Sequence, residues 1–270
     1  MTSVKNLLVE LFVEELPPKA LRQLGDAFAN GIAEALRAQG LAEAGSVATP
    51  YASPRRLALH LTRVHSRAAD RRVLHKLMPV AVGLDAEGRA TPALAKKLLG
   101  LGAGTEVVPT LQRQGEGKAE TLFLESTEAG ATLDEGLQKA LDETLAALPI
   151  PKLMSYQLDD GWTSVHFVRP AHGLVALHGD AVVRCYALGL AAGRHTRGHR
   201  FEARADPLTL ADADAYPAQL REQGAVIASF DARRTEIEHQ LAAAASWRAI
   251  SARRSSKAAI TAPSSRSRPA

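Results

Sequence analysis

The sequence contains one cysteine, Cys185, in 270 residues. A single cysteine excludes a disulfide framework and a zinc site built from several cysteines. No apolar run approaches the roughly 18 residues that a membrane span needs, so we expect no membrane segment. The N-terminal segment carries glutamates where a signal peptide needs a continuous apolar stretch, which predicts a cytoplasmic protein.

Motifs that would mark a nucleotide site or a catalytic centre are also missing. Residues 115–120 (GEGKAE) contain a Gly-Lys pair but lack the earlier glycine and the hydroxyl of a phosphate-binding loop. Residues 100–104 (GLGAG) lack the strand-then-helix context of a dinucleotide site and are predicted to be a loop. Cys185 lies in an apolar stretch, which favours a small buried side chain over a nucleophile. The sequence therefore shows no recognisable phosphate-binding loop, dinucleotide-binding motif or activated cysteine.

Acidic residues are absent from the last part of the chain, and this absence accounts for the net positive charge of the whole sequence. The formal net charge is +4, from 33 Lys+Arg and 29 Asp+Glu. Residues 246–270 hold five Arg and one Lys, so residues 1–245 carry a net charge of −2. The final segment has few large apolar residues, so burial of its side chains could not compensate for the conformational entropy lost on folding. This predicts a disordered basic tail over 246–270.

The N-terminal part, residues 1–65, has the pattern of a β-α-β element. Residues 6–13 are apolar and are followed by a Pro-Pro pair, which predicts a strand and then the start of a helix. Apolar residues then recur at spacings of three and four up to about Gly40, which predicts an amphipathic helix. Residues 56–64 alternate between apolar and polar side chains, as in a half-buried strand.

Residues 66–245 are predicted to form α+β structure around a mixed, mainly antiparallel sheet. The predicted strands cover residues 119–126, 163–168, 173–178 and 181–190, the last two as a hairpin. The predicted helices cover residues 92–100, 132–147, 212–223 and 231–245. The fold class predicted for the whole chain is α+β, with a β-α-β start, this second region and a disordered C-terminal tail.

The first of two basic clusters is Arg55-Arg56, directly after Ser53-Pro54 and ahead of a strand. Two arginines on a fixed turn can bind phosphate in a bidentate manner. The alternative is a solvated face or an ion pair with Glu14 or Glu15, which is the usual role of surface charge.

The second basic cluster is the segment RHTRGHRF, residues 194–201. Its arginines can neutralise phosphates and Phe201 can stack on a base, so the segment fits RNA contact and a structural loop equally well. His195 and His199 have the spacing of a metal-binding pair on a helix. A metal site is not expected, because Gly198 interrupts a helix and no acidic ligand is adjacent.

Six short segments occur in a characteristic order along the chain. They are VELFVEELPPKAL (9–21), SPRRLAL (53–59), LPIPKLM (148–154), VHFVRPAH (165–172), RHTRGHRF (194–201) and VIASFDARRTEI (226–237). Together they resemble the β subunit of bacterial heterotetrameric glycyl-tRNA synthetase, over about residues 5–245. The chain departs from the common family pattern at Phe12-Val13 and at Ser155-Tyr156, which we interpret as variation within the family.

The resemblance implies an α2β2 enzyme that uses ATP and Mg²⁺ to join glycine to tRNA(Gly). In that family the α subunit carries adenylation, and the β subunit supports tRNA recognition and aminoacylation. The resemblance therefore implies no catalytic centre and no bound cofactor in this chain, with the α subunit and tRNA(Gly) as partners. The family's β subunit is considerably longer and includes HD-type and anticodon-binding domains, which do not appear here. The candidate tRNA-binding residues are Arg55, Arg56, Lys152, Arg169, Arg194, His195, Arg197, His199 and Arg200.

Two alternatives to an enzyme component stay open. One is a stand-alone module that binds RNA or the α subunit without catalysis, and the other is a non-functional fragment. Residues 246–270 do not share the resemblance, and their Arg, Ser, Ala and Pro bias is that of a GC-rich gene translated out of frame. We therefore hypothesise that the reading frame is disrupted after about Ala245, which the coding DNA tests.

Overall fold

A computed structural model describes residues 3–115, 120–158 and 160–260. The chain folds into two compact units, one of Met1–Ser66 with Leu133–Ala270 and one of Arg67–Thr132. The sequence instead predicts consecutive domains over residues 1–65 and 66–245. The two divisions differ because strands from both ends of the larger unit pair in one sheet, and local sequence patterns carry no information on such long-range pairing.

Fourteen strands and six α-helices lie in the described residues. The strands are β1 (Val4–Val13), β2 (Ala48–Ser53), β3 (Arg56–His65), β4 (Arg71–Pro79), β5 (Gln112–Gln114), β6 (Thr121–Glu128), β7 (Met154–Gln157), β8 (Ser164–Phe167), β9 (Ala171–His178), β10 (Ala181–Val182), β11 (Tyr186–Ala187), β12 (Leu190–Gly193), β13 (His195–Thr196) and β14 (Leu208–Thr209). The helices are α1 (Leu21–Ala38), α2 (Val80–Gly83), α3 (Pro92–Gly100), α4 (Leu133–Ala147), α5 (Tyr216–Glu222) and α6 (Phe230–Ile260), with a 3₁₀ helix at Thr105–Thr110. The predicted α+β class is confirmed.

The larger unit is built on a seven-stranded sheet in the order β11-β12-β9-β1-β3-β2, with β10 also paired to β9. Every pairing in this sheet is antiparallel except that of β12 with β9. The predicted hairpin after His178 is present, but its return strand β10 has two residues rather than the predicted 181–190. The prediction of a mixed, mainly antiparallel sheet is therefore confirmed, with a shorter hairpin.

Helix α1 covers one face of the sheet, where it packs against β2, β3 and α4. Its buried side chains include Leu21, Leu24, Phe28 and Ile32, at the spacing of three and four that predicts an amphipathic helix. Helix α4 buries Leu133, Leu137 and Leu141 in the same way. Helix α4 matches its predicted bounds within one residue, and α1 ends within two residues of its predicted end, because their apolar periodicity is strong over several turns. Helix α1 begins at Leu21 rather than at the Pro-Pro pair.

Helix α5 covers the opposite face of the sheet. Tyr216 and Leu220 of α5 pack in one buried cluster with Leu8 of β1 and Val175 of β9. Strand β1 is thus the central strand and is covered on both sides, so Leu7 to Val13 are all buried. A strand buried on both faces has a nearly continuous apolar sequence, and Glu10 is the exception in β1.

The smaller unit has its own sheet, in the order β4-β6-β5. Leu77, Leu94, Leu98, Leu122 and Leu124 form its core with α3. The Thr91 hydroxyl caps α3 by accepting a hydrogen bond from the Leu94 backbone N–H at 3.4 Å. Helix α3 and strand β6 match the predicted 92–100 and 119–126 closely.

The last helix, α6, continues from Phe230 through Ile260, fifteen residues beyond its predicted end at residue 245. Alanine and arginine are frequent there and have high helix propensity, so the local sequence favours continuation of the helix. Residues 261–270 of the predicted disordered tail lie outside the described residues. No helix in the described part of the chain combines the length and the apolar character needed to cross a membrane.

Candidate nucleic-acid groove

Glu10 is a fully buried carboxylate in the central strand. Its Oε2 atom accepts a hydrogen bond from the Tyr216 hydroxyl at 2.5 Å and lies 3.2 Å from Arg56 Nε. Its Oε1 atom accepts a hydrogen bond from the Thr196 hydroxyl. A buried charge needs a partner charge and hydrogen bonds to offset its lost hydration. Strand β3 supplies the partner charge, and β13 and α5 each supply one hydroxyl donor.

Burial and the nearby Glu10 carboxylate raise the pKa of Tyr216 well above its usual value of 10.0, burial being the larger cause. The Tyr216 hydroxyl therefore stays protonated and donates to Glu10 at physiological pH. Its ring lies 5.4 Å from the ring of Tyr51, so packing and the hydrogen bond both fix its position.

Arg56 lies under the surface, with 3% of its side chain exposed. Besides its ion pair with Glu10, it donates from Nη2 to the backbone carbonyl of Arg197 and from Nη1 to Ser53 Oγ at 3.4 Å. Its guanidinium is enclosed and engaged by protein groups, so it is not presented to an external phosphate. Arg56 lines the larger cavity of the groove with only this small exposed fraction, so the structure does not favour the prediction of Arg56 as a tRNA contact.

Arg55 points the other way, to the surface, with 24% of its side chain exposed. Its Nη2 atom donates to Glu14 Oε1 at 3.1 Å, and its guanidinium lies 4.9 Å from the ring centroid of Phe12. His172 Nε2 lies 3.0 Å from the same Glu14 oxygen. The ion pair of Arg55 with Glu14 that the sequence predicts as an alternative is therefore present.

Residues 197–201, called the basic segment below, form the irregular chain that follows β13. The His199 N–H donates to the Gly224 carbonyl at 2.7 Å, which fixes the backbone of the segment against the end of α5. Gly198 lies so close to Gly224 that a Cβ atom at 198 would be 2.5 Å from the Gly224 carbonyl oxygen. At the end of the segment, Phe201 is 85% exposed.

Two adjoining cavities form a groove beside the basic segment, called the basic groove below. The smaller has a volume of about 350 Å³ and is lined by Arg55, His172 and Arg197, with Glu14 and Asp206. The larger has a volume of about 720 Å³ and extends between Phe201 and α6. Phe12, Arg55, Gly198 and Arg200 line both.

The structure brings five of the predicted site residues together and leaves the others apart. These five, which line the basic groove, are Arg55, Arg56, Arg197, His199 and Arg200. Arg194 instead contacts the turn between β9 and β10, where its Nη2 atom donates to the Asp180 carbonyl at 2.5 Å. His195 contacts β14, where its Nδ1 atom lies 3.1 Å from Thr209 Oγ1. Each of these two side chains therefore has a structural partner away from the groove.

Arg169 and Lys152 also lie outside the lining of the groove. Arg169 Nε donates to the Glu15 carbonyl at 3.1 Å, next to the larger cavity. Lys152 is exposed in the loop before β7. Within the described residues, no group of three or more His, Cys, Asp or Glu side chains could hold a metal ion.

Glu10, Tyr216 and Arg233 also shape the groove, but they are not among the site residues predicted from the sequence. Arg233 of α6 lines the larger cavity and donates to the Ala52 carbonyl at 2.8 Å. Burial, and then the charge of Arg56, lowers its pKa from the usual 12.5. One signal was available for Glu10, because a lone acid in a continuous apolar strand requires a buried partner.

The buried position of Cys185 is confirmed, since 1% of the residue is exposed. It lies between β10 and β11 rather than in a continuous strand. Burial raises the pKa of its thiol to about 12, with smaller contributions from Asp134 and Asp142. A thiol of this kind is protonated at neutral pH and is a poor nucleophile.

Comparison with known proteins identifies relatives along most of the chain. Residues 7–259 match the sequence model of the glycyl-tRNA synthetase beta subunit family, and this match extends past residue 245. The chain is 68% identical over 240 residues to the glycine–tRNA ligase beta subunit of Leptothrix cholodnii, which is 89% of this chain and 34% of that protein. It is 64% identical over 245 residues to the corresponding subunit of Delftia acidovorans, which is 90% of this chain and 35% of that protein. The chain thus spans about a third of the length of these relatives.

Proposed function

Because the chain belongs to the glycyl-tRNA synthetase beta subunit family, we propose that it acts as part of the β subunit of a glycine–tRNA ligase and contributes to binding tRNA(Gly). In this proposal the α subunit of an α2β2 enzyme carries the adenylation step with ATP and Mg²⁺. The reaction takes place in the cytoplasm and provides glycyl-tRNA for protein synthesis. This chain supplies binding surface and no reacting group.

The observation that carries the proposal is the convergence of two separate basic motifs on one groove. Arg55 comes from the turn before β3, whereas Arg197 and Arg200 come from the basic segment nearly 150 residues later. Exposed arginines neutralise phosphates, and an exposed aromatic such as Phe201 offers a stacking face for a base. The groove thus gathers several arginines on residues 1–245, whose net charge is −2, although Glu14, Glu15, Asp206 and Glu236 also line it.

The acidic side chains in the groove limit how strongly it binds. Glu14 pairs with Arg55, and Asp206 lies 3.8 Å from Arg197. When a phosphate binds, each arginine must either break its ion pair with the carboxylate or divide its N–H donors between the carboxylate and the phosphate. We therefore expect weak binding by this chain alone, which strengthens when the α subunit and the rest of a full-length β subunit add contacts.

A tRNA titration of the chain at two salt concentrations tests the proposal. Binding that weakens as salt rises is expected, because each phosphate contact releases counterions. No salt-dependent binding would contradict the role of the groove. A generic duplex DNA of similar length serves as a control for the charge effect alone.

A charging assay separates the role of a binding component from that of a complete enzyme. The chain is mixed with the α subunit, ATP, glycine and tRNA(Gly), with full-length β subunit as the positive control. We expect little or no charging with this chain, since it spans about a third of the relatives' length. Robust charging would overturn this part of the proposal. Binding of tRNA without charging would favour the alternative of an RNA-binding module.

A further inference from the structure

We propose that Glu10 is a positioning residue, whose buried carboxylate holds the basic segment in the orientation that presents Arg197 and Arg200 to the basic groove. The inference concerns how the groove is built, and its consequence for tRNA binding rests on the proposed function. Glu10 itself is fully buried and does not touch a ligand in the groove.

The carboxylate reaches the basic segment by two routes. The direct route is the hydrogen bond from the Thr196 hydroxyl to Glu10 Oε1, at the residue just before the segment. The indirect route runs through Arg56, which pairs with Glu10 Oε2 at 3.2 Å and donates to the carbonyl of Arg197. The residue just before the segment and the first residue of the segment are therefore both held by the same carboxylate.

The carboxylate is itself held in place, so it can serve as an anchor. The hydroxyl of Tyr216, which belongs to α5, donates a hydrogen bond to Oε2 at 2.5 Å. The backbone of Glu10 pairs with Ala58 of β3 and Val175 of β9. Hydrogen bonds to a charged group are stronger than neutral ones, and burial of Glu10 strengthens them further by lowering the local dielectric constant. The anchor therefore resists displacement by the fluctuations of a surface loop.

The basic segment has little regular structure of its own to replace this anchor. Strand β13 has only two residues, and the chain from 197 to 207 forms neither helix nor strand. Farther along, the segment is held by the bond from the His199 N–H to the Gly224 carbonyl and by that from the Arg204 N–H to the Gln223 carbonyl. Loss of the Thr196 bond therefore loosens the end of the segment that carries Arg197.

The experiment removes one hydroxyl and measures the order of the segment without any tRNA. Trypsin cleaves after arginine, so the bonds after Arg197 and Arg200 report when the segment leaves its position. Thr196→Val keeps the size and shape of the side chain but removes the donor to Glu10. We expect cleavage of these two bonds to become roughly tenfold faster, as for loss of one hydrogen bond to a charged group.

Three controls distinguish positioning from general destabilisation. Thr196→Ser restores the hydroxyl and should return cleavage to the wild-type rate. Thr144→Val changes a buried threonine of α4, far along the chain from the segment, and should leave the two bonds unaffected. The bond after Lys139, within α4, reports global unfolding and should be cleaved at an unchanged rate in the Thr196→Val variant.

The outcomes separate this inference from the proposed function. Unchanged cleavage after Arg197 and Arg200 in Thr196→Val would overturn the inference, as would equal acceleration at the bond after Lys139. Selective acceleration together with weaker tRNA binding supports both proposals. Selective acceleration with unchanged tRNA binding supports the positioning role and contradicts the role of the groove in binding tRNA.

Discussion

Glu10 and Arg56 form an ion pair with Nε and Oε2 3.2 Å apart, in which 1% and 3% of the two side chains are exposed. Glu10 belongs to the segment VELFVEELPPKAL and Arg56 to SPRRLAL, two of the segments that carry the family resemblance. A third such segment, RHTRGHRF, joins them through Thr196 and the carbonyl of Arg197. Segments far apart in sequence thus meet at one buried carboxylate beneath the basic groove.

Arg56→Met is expected to destabilise the fold strongly. The methionine fills much of the volume of the arginine, but it leaves the Glu10 carboxylate buried without its partner charge. Removing one partner of a buried ion pair costs about 3–5 kcal/mol. Urea unfolding followed by circular dichroism measures the loss in free energy of unfolding.

Arg184→Met is the matched control for that substitution. Arg184 pairs with Asp134 at 3.0 Å, but 87% of its side chain is exposed. An exposed pair contributes little, so we expect a change within about 1 kcal/mol. Equal losses in the free energy of unfolding for the two substitutions would show that the buried pair contributes no more to stability than the exposed pair.

Gly198→Ala is expected to displace the basic segment. A Cβ atom at this position would lie 2.5 Å from the Gly224 carbonyl oxygen and 2.6 Å from Ala203 Cβ, so the backbone must shift. We expect a loss of about 1–3 kcal/mol in the free energy of unfolding, as for other overpacked sites, together with weaker tRNA binding. Gly193→Ala is the control, because a Cβ atom at 193 meets no atom within 4 Å. A Gly198→Ala variant as stable as Gly193→Ala would contradict the close approach of residues 198 and 224.

His178 is expected to make the fold less stable in mild acid. It lies in β9 with Nε2 2.8 Å from the Val64 carbonyl, and burial lowers its pKa from the usual 6.5. The unfolded chain therefore binds this proton at a higher pH than the folded chain, so stability falls as the pH drops below about 6.5. Urea unfolding at about pH 7.5 and about pH 5.5 measures the loss.

His178→Gln should reduce the loss of stability between these two pH values, whatever its effect at neutral pH. The comparison is made with His166→Gln, since His166 is exposed on β8. A His178→Gln variant with the same pH dependence as the wild type would show that other groups account for the effect.

The sequence predicts local elements well where one face has a strong period. Helices α1 and α4 follow from their leucine spacing, and β1 from its apolar run before the Pro-Pro pair. Strand β2 is not predicted, because Ala48–Ser53 contains a proline and lacks alternation. Strand β2 is an edge strand because it pairs with β3, and the local sequence does not determine this pairing.

The sequence also predicts the two basic clusters, but not the roles of their members. Arg55 and Arg56 are adjacent and chemically identical, yet one faces the groove and the other pairs with Glu10. The difference comes from the opposite directions of successive side chains at the start of β3. Which direction faces inward depends on α5 and on the basic segment, both about 140 residues or more away in sequence.

The salt dependence of tRNA(Gly) binding reports directly on whether the basic groove contacts phosphates. The slope of the logarithm of the binding constant against that of salt concentration is measured for the wild type and for the double variant Arg197→Ala/Arg200→Ala. Two lost phosphate contacts should make the slope shallower by about 1.4–1.8. The double variant Arg113→Ala/Arg184→Ala removes two exposed charges outside the groove and should keep the wild-type slope. A groove variant that retains the wild-type slope, or a control variant that loses as much, would contradict the account.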